Sequence, residues 1–180
     1  MRTMHIAVVV ILLMVGVWTI GNVRTLAQVE SRDARVAVLD DCEPTDPTWA
    51  DIGGCDILPN RGDVTRAEFG ALVLSPLSAS TVGHPSWRNE PSHLRVTAGR
   101  TVRVTNQGGR GHTFTKVAAF GGGFIPILNV GLVPAPECVA GPPPPVLPPG
   151  ETEQAAGLTP GLNRYQCCIH PWMRATIRVE

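Results

Sequence analysis

From His93 to the C-terminus the chain runs in short stretches whose apolar and polar residues alternate, the period of half-buried β-strands. Leu94-Arg-Val-Thr97 and Thr101-Val-Arg-Val-Thr105 are two such runs, with Ala98-Gly99-Arg100 as the turn between them. His112-Thr-Phe-Thr-Lys-Val117 alternates again. Gly150-Glu-Thr-Glu-Gln and Arg164-Tyr-Gln-Cys-Cys read as strands, and Arg174-Ala-Thr-Ile-Arg-Val179 closes the chain with another alternating run. Upstream, Ala34–Leu39 offers one more. Phe69-Gly-Ala-Leu-Val-Leu fits strand or helix, because Thr65-Arg-Ala-Glu68 before it resembles a capping box. With 19 Gly and 17 Pro in 180 residues, punctuation is too dense for a helical bundle or a coiled coil. Residues 121–150 are a long Pro/Gly-rich insertion that carries Pro142-Pro-Pro-Pro145, a run favouring extended surface chain. The expected fold is an all-β sandwich of roughly seven or eight strands.

The first residues bear on destination. Arg2 and His5 precede an uncharged run from Ile6 to Val23, and Thr25-Leu26-Ala27 follows with small residues at the positions an export peptidase reads. Residues 1–27 therefore read as a signal peptide, or as an N-terminal membrane anchor if uncleaved; either places the folded part in the periplasm or outside the cell. Net charge is zero, yet residues 28–68 hold ten acidic and four basic residues. This acidic, turn-rich extension would repel phosphate and argues against a nucleic-acid partner.

Export makes the five cysteines informative, since an odd count outside the cytoplasm leaves one thiol unpaired. Cys42 and Cys55 could close a small local loop. Cys167 and Cys168 are adjacent and cannot easily pair with each other, so one of them is the expected leftover. Tyr165-Gln166-Cys167-Cys168-Ile169-His170-Pro171-Trp172-Met173 contains Cys-x-x-His-x-x-Met between two expected strands. A thiolate, an imidazole and a thioether on one short loop are a soft ligand set. A second imidazole would complete the His₂Cys trigonal site with a weak axial Met that binds copper. His112, after the turn Asn106-Gln-Gly-Gly-Arg-Gly, is the candidate.

Residues from about Ser92 to Glu180 resemble a cupredoxin, the small blue-copper family that includes plastocyanin, amicyanin and pseudoazurin. The segment Val96-x-x-Gly99-x-x-Val102-x-Val104-x-Asn106 followed by His112 is similar to the strand leading to that family's first copper histidine. The loop from Tyr165 to Arg174 is most similar to the amicyanin type. The resemblance implies a Greek-key β-sandwich over residues 69–180 that holds one type 1 copper. His112, Cys167 and His170 would be its equatorial ligands and Met173 the axial one. It further implies one-electron carriage between redox proteins, not an enzyme. Thr113 stands where the family often has an Asn that ties the ligand loops together, and a hydroxyl can still bond across. Neighbouring side chains on a strand face opposite ways, so Cys168 points away from the copper and can pair with Cys138, leaving Cys167 unpaired. Electron exchange is expected at an apolar face of Ile169, Pro171 and Trp172 beside His170.

Other chemistries lack their residues. No His-x-His pair serves an oxygen-reducing copper cluster, Cys-Cys-Ile-His is not a haem-attachment motif, and no Gly-x-Ser-x-Gly elbow occurs. The remaining readings are a copper module for delivery, sensing or an accessory role, and an exported domain that has lost its metal. His84 and His93 read as surface or strand-edge histidines. The acidic stretch 40–51 reads as solvated surface.

Overall fold

The computed structural model describes residues 34–56, 62–74, 83–129 and 131–180. The signal-like segment 1–27 lies outside the described residues. Among these described residues eight strands follow in order: β1 (Ala34–Leu39), β2 (Arg88–Glu90), β3 (His93–Val96), β4 (Val102–Asn106), β5 (Thr115–Val117), β6 (Thr152–Gln154), β7 (Gly161–Gln166) and β8 (Arg174–Val179). They form two four-stranded sheets, ordered β2-β1-β4-β6 and β3-β8-β7-β5. β1 lies parallel to β4 with Val36 opposite Val104, and β7 runs antiparallel to β8 with Tyr165 opposite Ala175.

Alternation decides which residues the sheets bury. Val36 and Val38 of β1, Val102 and Val104 of β4, and Ala175, Ile177 and Val179 of β8 all join one buried cluster with Tyr165. Full burial of each Val or Ile side chain stabilises the fold by roughly 1.5–3 kcal/mol. Tyr165 stacks on Phe114 at 4.6 Å between ring centroids. Residues 34–39 thus form part of one sheet, because β1 sits between β2 and β4.

Two local expectations change. The run 112–117 becomes a strand only at Thr115, because His112, Thr113 and Phe114 are buried in succession and no single face of a pleated strand can bury three neighbours. The ambiguous apolar run is helical: α1 spans Arg66–Val73 behind a complete capping box. Thr65 Oγ1 accepts from the Glu68 amide, and the Glu68 carboxylate accepts from the Thr65 amide at 2.9 Å. α1 buries Phe69 and Val73. Phe69 packs on Trp87 at 4.7 Å and on Trp49 at 5.6 Å, the latter from a 3-10 turn over Pro47–Ile52.

The insertion is not a free loop. It carries a 3-10 turn at Pro126–Leu128 and a single helical turn, α2, at Pro136–Val139. Among the described residues no helix is long and apolar enough to cross a membrane.

Candidate metal centre

Two chain segments build the centre, and each is shaped by its own hydrogen bonds. After β4, the Asn106 side chain folds the following turn. Its Nδ2 donates to Arg110 O (2.6 Å) and Leu147 O (2.9 Å), while its Oδ1 accepts from the Gly108 amide (3.0 Å). His112 then exchanges backbone hydrogen bonds with Leu147 and enters the interior. Between β7 and β8 the Cys167 amide donates to Met173 O (3.0 Å), and the Met173 amide donates to His170 O (2.9 Å). That closure curls residues 167–173 into a tight loop. Cys167 and Met173 are fully buried, and His170 is 3% exposed.

The donor atoms of His112, Cys167 and His170 lie within 4.8 Å of one another. Cys167 Sγ is 3.8 Å from His112 Nδ1 and 3.7 Å from His170 Nδ1. Ordinary metal–nitrogen and metal–sulfur bonds of about 2.0 and 2.3 Å, set at trigonal angles, would separate such donors by about 3.7 Å. The cluster therefore fits one ion bound by two imidazoles and a thiolate. Met173 sits on the same loop, and this donor set is that of a type 1 copper site.

The electrostatics agree. Burial would push the Cys167 thiol up, but hydrogen bonds with His112 and His170 outweigh it and hold the thiol well below its ordinary value. The Thr113 and His170 amides also point at Sγ, each at 3.4 Å. Burial opposes charge on His112 as well, yet its bonds to Asp40 and Cys167 raise it to about 9. Burial pushes His170 down.

A remote histidine after β4 and a Cys-His-Met loop between the last two strands, set in a two-sheet sandwich, match the arrangement the sequence resemblance implies. The fold is cupredoxin-like. No family profile and no curated protein sequence matches the chain. Among solved structures the chain is similar to a purple cupredoxin from Nitrosopumilus maritimus, with 16% identity, a TM-score of 0.42, and 82% of this chain and 100% of that one covered. It is similar to plastocyanin from Dryopteris crassirhizoma at 18% identity and a TM-score of 0.39, with the same coverage. For a copper(I) amicyanin variant the values are 21% and 0.37, covering 59% of this chain and 93% of that one.

The cysteines of this cupredoxin-like chain are disposed around the site. Cys42 is bonded to Cys55, Cys138 of α2 is bonded to Cys168, and Cys167 is free. Thr113 joins the two ligand segments, its Oγ1 accepting from the Cys168 amide at 2.8 Å. The insertion clasps both segments. Leu147 pairs with His112, the Phe124 amide donates to Cys168 O (2.8 Å), and Gln166 bonds the backbone of Gly121. A Cβ on Gly123 would lie 1.8 Å from Cys168 O, so only glycine permits that approach. Ile169 and Trp172 are half-buried, and Pro171 is buried.

The outer side of His170 is covered by residues far upstream. Phe69 of α1 meets the His170 ring edge-on at 6.2 Å, and Trp172 lies 5.5 Å from it. His84 is buried between Phe69 and Trp87 rather than at the surface, because it completes this aromatic wall. His93 is exposed in β3. The reading of 40–51 as solvated surface fails at Asp40, which is buried with its Oδ2 2.7 Å from His112 Nε2. A signal for it was present: period-two spacing puts residue 40 on the same buried face as Val36 and Val38.

Proposed function

We propose that the protein is an exported one-electron carrier holding a single copper ion through His112, Cys167, His170 and, axially, Met173. The observation that carries this reading is the buried convergence of one unpaired thiol and two imidazoles at metal-bridging distances. When bound, copper in such a site supplies a reversible one-electron couple. The chain's residues do the rest. Thr113 and the loop closure hold the donors in place, the insertion keeps water from the sulfur, and His170 brings the site close to the surface.

His170 also lines a mostly apolar groove of about 690 Å³ with Phe69, Val73, Ile125, Ile127, Leu128 and Ile169, and Arg66 and Arg110 border it. A redox protein docking there would reach the site through one imidazole; of the expected docking residues Ile169 lines the groove, while Pro171 is buried and Trp172 half-buried. A contact of small area suits brief encounters. Two disulfides fit an oxidising compartment outside the cytoplasm. A delivery or sensing module has to release its ion, and ligands this deeply enclosed favour carriage of electrons over release of metal.

Voltammetry of the copper-loaded protein tests the proposal. A reversible one-electron wave with full copper retention is expected. Irreversible behaviour, or prompt transfer of the copper to a weak chelator, would favour delivery instead.

A further inference from the structure

Asp40 directly follows β1 and is enclosed by hydrogen-bond donors. Its Oδ1 accepts from the Gly109 amide at 3.0 Å and from the Cys42 amide at 3.4 Å. Its Oδ2 accepts from the Arg110 amide at 3.1 Å and from His112 Nε2–H at 2.7 Å. Four donors and no acceptor suit an ionised carboxylate, since a protonated acid would set its own O–H against an N–H. The enclosure is built for it. A Cβ on Gly108 would lie 2.0 Å from Asp40 Oδ2, so the turn must carry glycine there to wrap the carboxylate. The Cys42–Cys55 bridge packs against Gly109 on the far side of the same turn.

We propose that Asp40 is a positioning residue for His112 that also lowers the reduction potential of the copper site. The inference rests on the copper reading above. A hydrogen bond from Nε2 fixes the His112 tautomer and ring plane, leaving Nδ1 free toward Sγ, where it lies at 3.8 Å. Carboxylate partners of this kind raise the basicity of a ligating imidazole. The charge count points the same way. Cu(II) with the Cys167 thiolate and the Asp40 carboxylate sums to zero. Adding one electron, supplied by an electrode and with no proton transferred, gives Cu(I) and a net charge of −1 in a buried setting. The Arg110 guanidinium, whose N–H groups donate to Gly54 O and Ile52 O, offsets part of this charge, but it does so in both oxidation states and leaves the carboxylate's own bias in place. The oxidised state is therefore favoured.

Asp40→Asn keeps the side-chain shape and an acceptor for His112 but removes the charge. It should retain one copper and the visible band, while the Cu(II)/Cu(I) equilibrium moves toward Cu(I) by about tenfold or more, which for one electron is about 59 mV upward. Asp40→Ser serves as a second neutral variant should the first fold poorly. An unchanged potential in either copper-loaded variant overturns the proposal. In the wild-type protein loaded with Zn(II), nitrogen NMR should find His112 protonated at Nε2, with a slowly exchanging proton. Protonation at Nδ1 would refute the positioning role whatever the variants do. If the wild-type protein takes up no copper, the carrier reading falls, while the zinc measurement still decides the Asp40–His112 contact.

Discussion

At Cys167 two independent constraints meet: four of the five cysteines are bonded in pairs, and the remaining sulfur is the one both histidines approach. The colour of such a site comes from the thiolate, so Cys167→Ala should abolish the visible charge-transfer band of the copper-loaded protein. The paired change Cys138→Ala with Cys168→Ala should keep it, because Cys168 is turned toward α2. Visible spectra at matched copper loading check this. Loss of the band in the paired variant, or its survival without Cys167, would reassign the ligand. Cys167, His170 and Met173 could be recognised from sequence because their spacing is local and one loop sets it. Asp40 was harder to see, since its contact with His112 spans 72 residues and depends on the parallel pairing of β1 with β4.

Among the elements, α1 and the insertion were the least legible. The apolar run 69–74 carries little periodic signal, and the capping box was the stronger clue to helix. Its placement over His170 depends on the aromatic wall of Trp49, Trp87 and His84, and Trp49 lies on a different segment from the other two. Thr65→Ala removes the acceptor for the Glu68 amide and should cost about 1 kcal/mol. Denaturant unfolding would show this, and an unchanged midpoint would mean the cap is replaced by water. The alternating strands were legible because burial follows period two. The period lapses at 112–114 and again at 165–168, where the chain presents ligands, and β2 was not among the strands expected. The insertion shows no such period, and its clasp on both ligand segments arises from backbone bonds and from Cys138–Cys168. In the chain-entropy picture a bridge over 30 residues stabilises by roughly 3–4 kcal/mol. The paired Cys138→Ala, Cys168→Ala variant should lose about that much, and equal stability with and without reductant in the wild type would contradict it.

For the whole molecule, the sandwich encloses the donors and the upstream aromatic wall narrows access to His170 alone. Ile127, 58% exposed, lines the groove beside that histidine. Ile127→Asp should leave the copper spectrum intact and slow electron self-exchange by about tenfold or more, because two copies would then set like charges and desolvated carboxylates at the contact. Line broadening in mixtures of the two oxidation states gives the rate. An unchanged rate would move the electron exit elsewhere. His112, Cys167, His170 and Met173 together are expected to hold one type 1 copper. Titration of the reduced-thiol, metal-free protein with Cu(II), followed by visible absorption and metal analysis, tests this most directly. One copper per chain with an intense visible band that saturates at equivalence is the expected result. Colourless binding, or more than one ion required for colour, would contradict it.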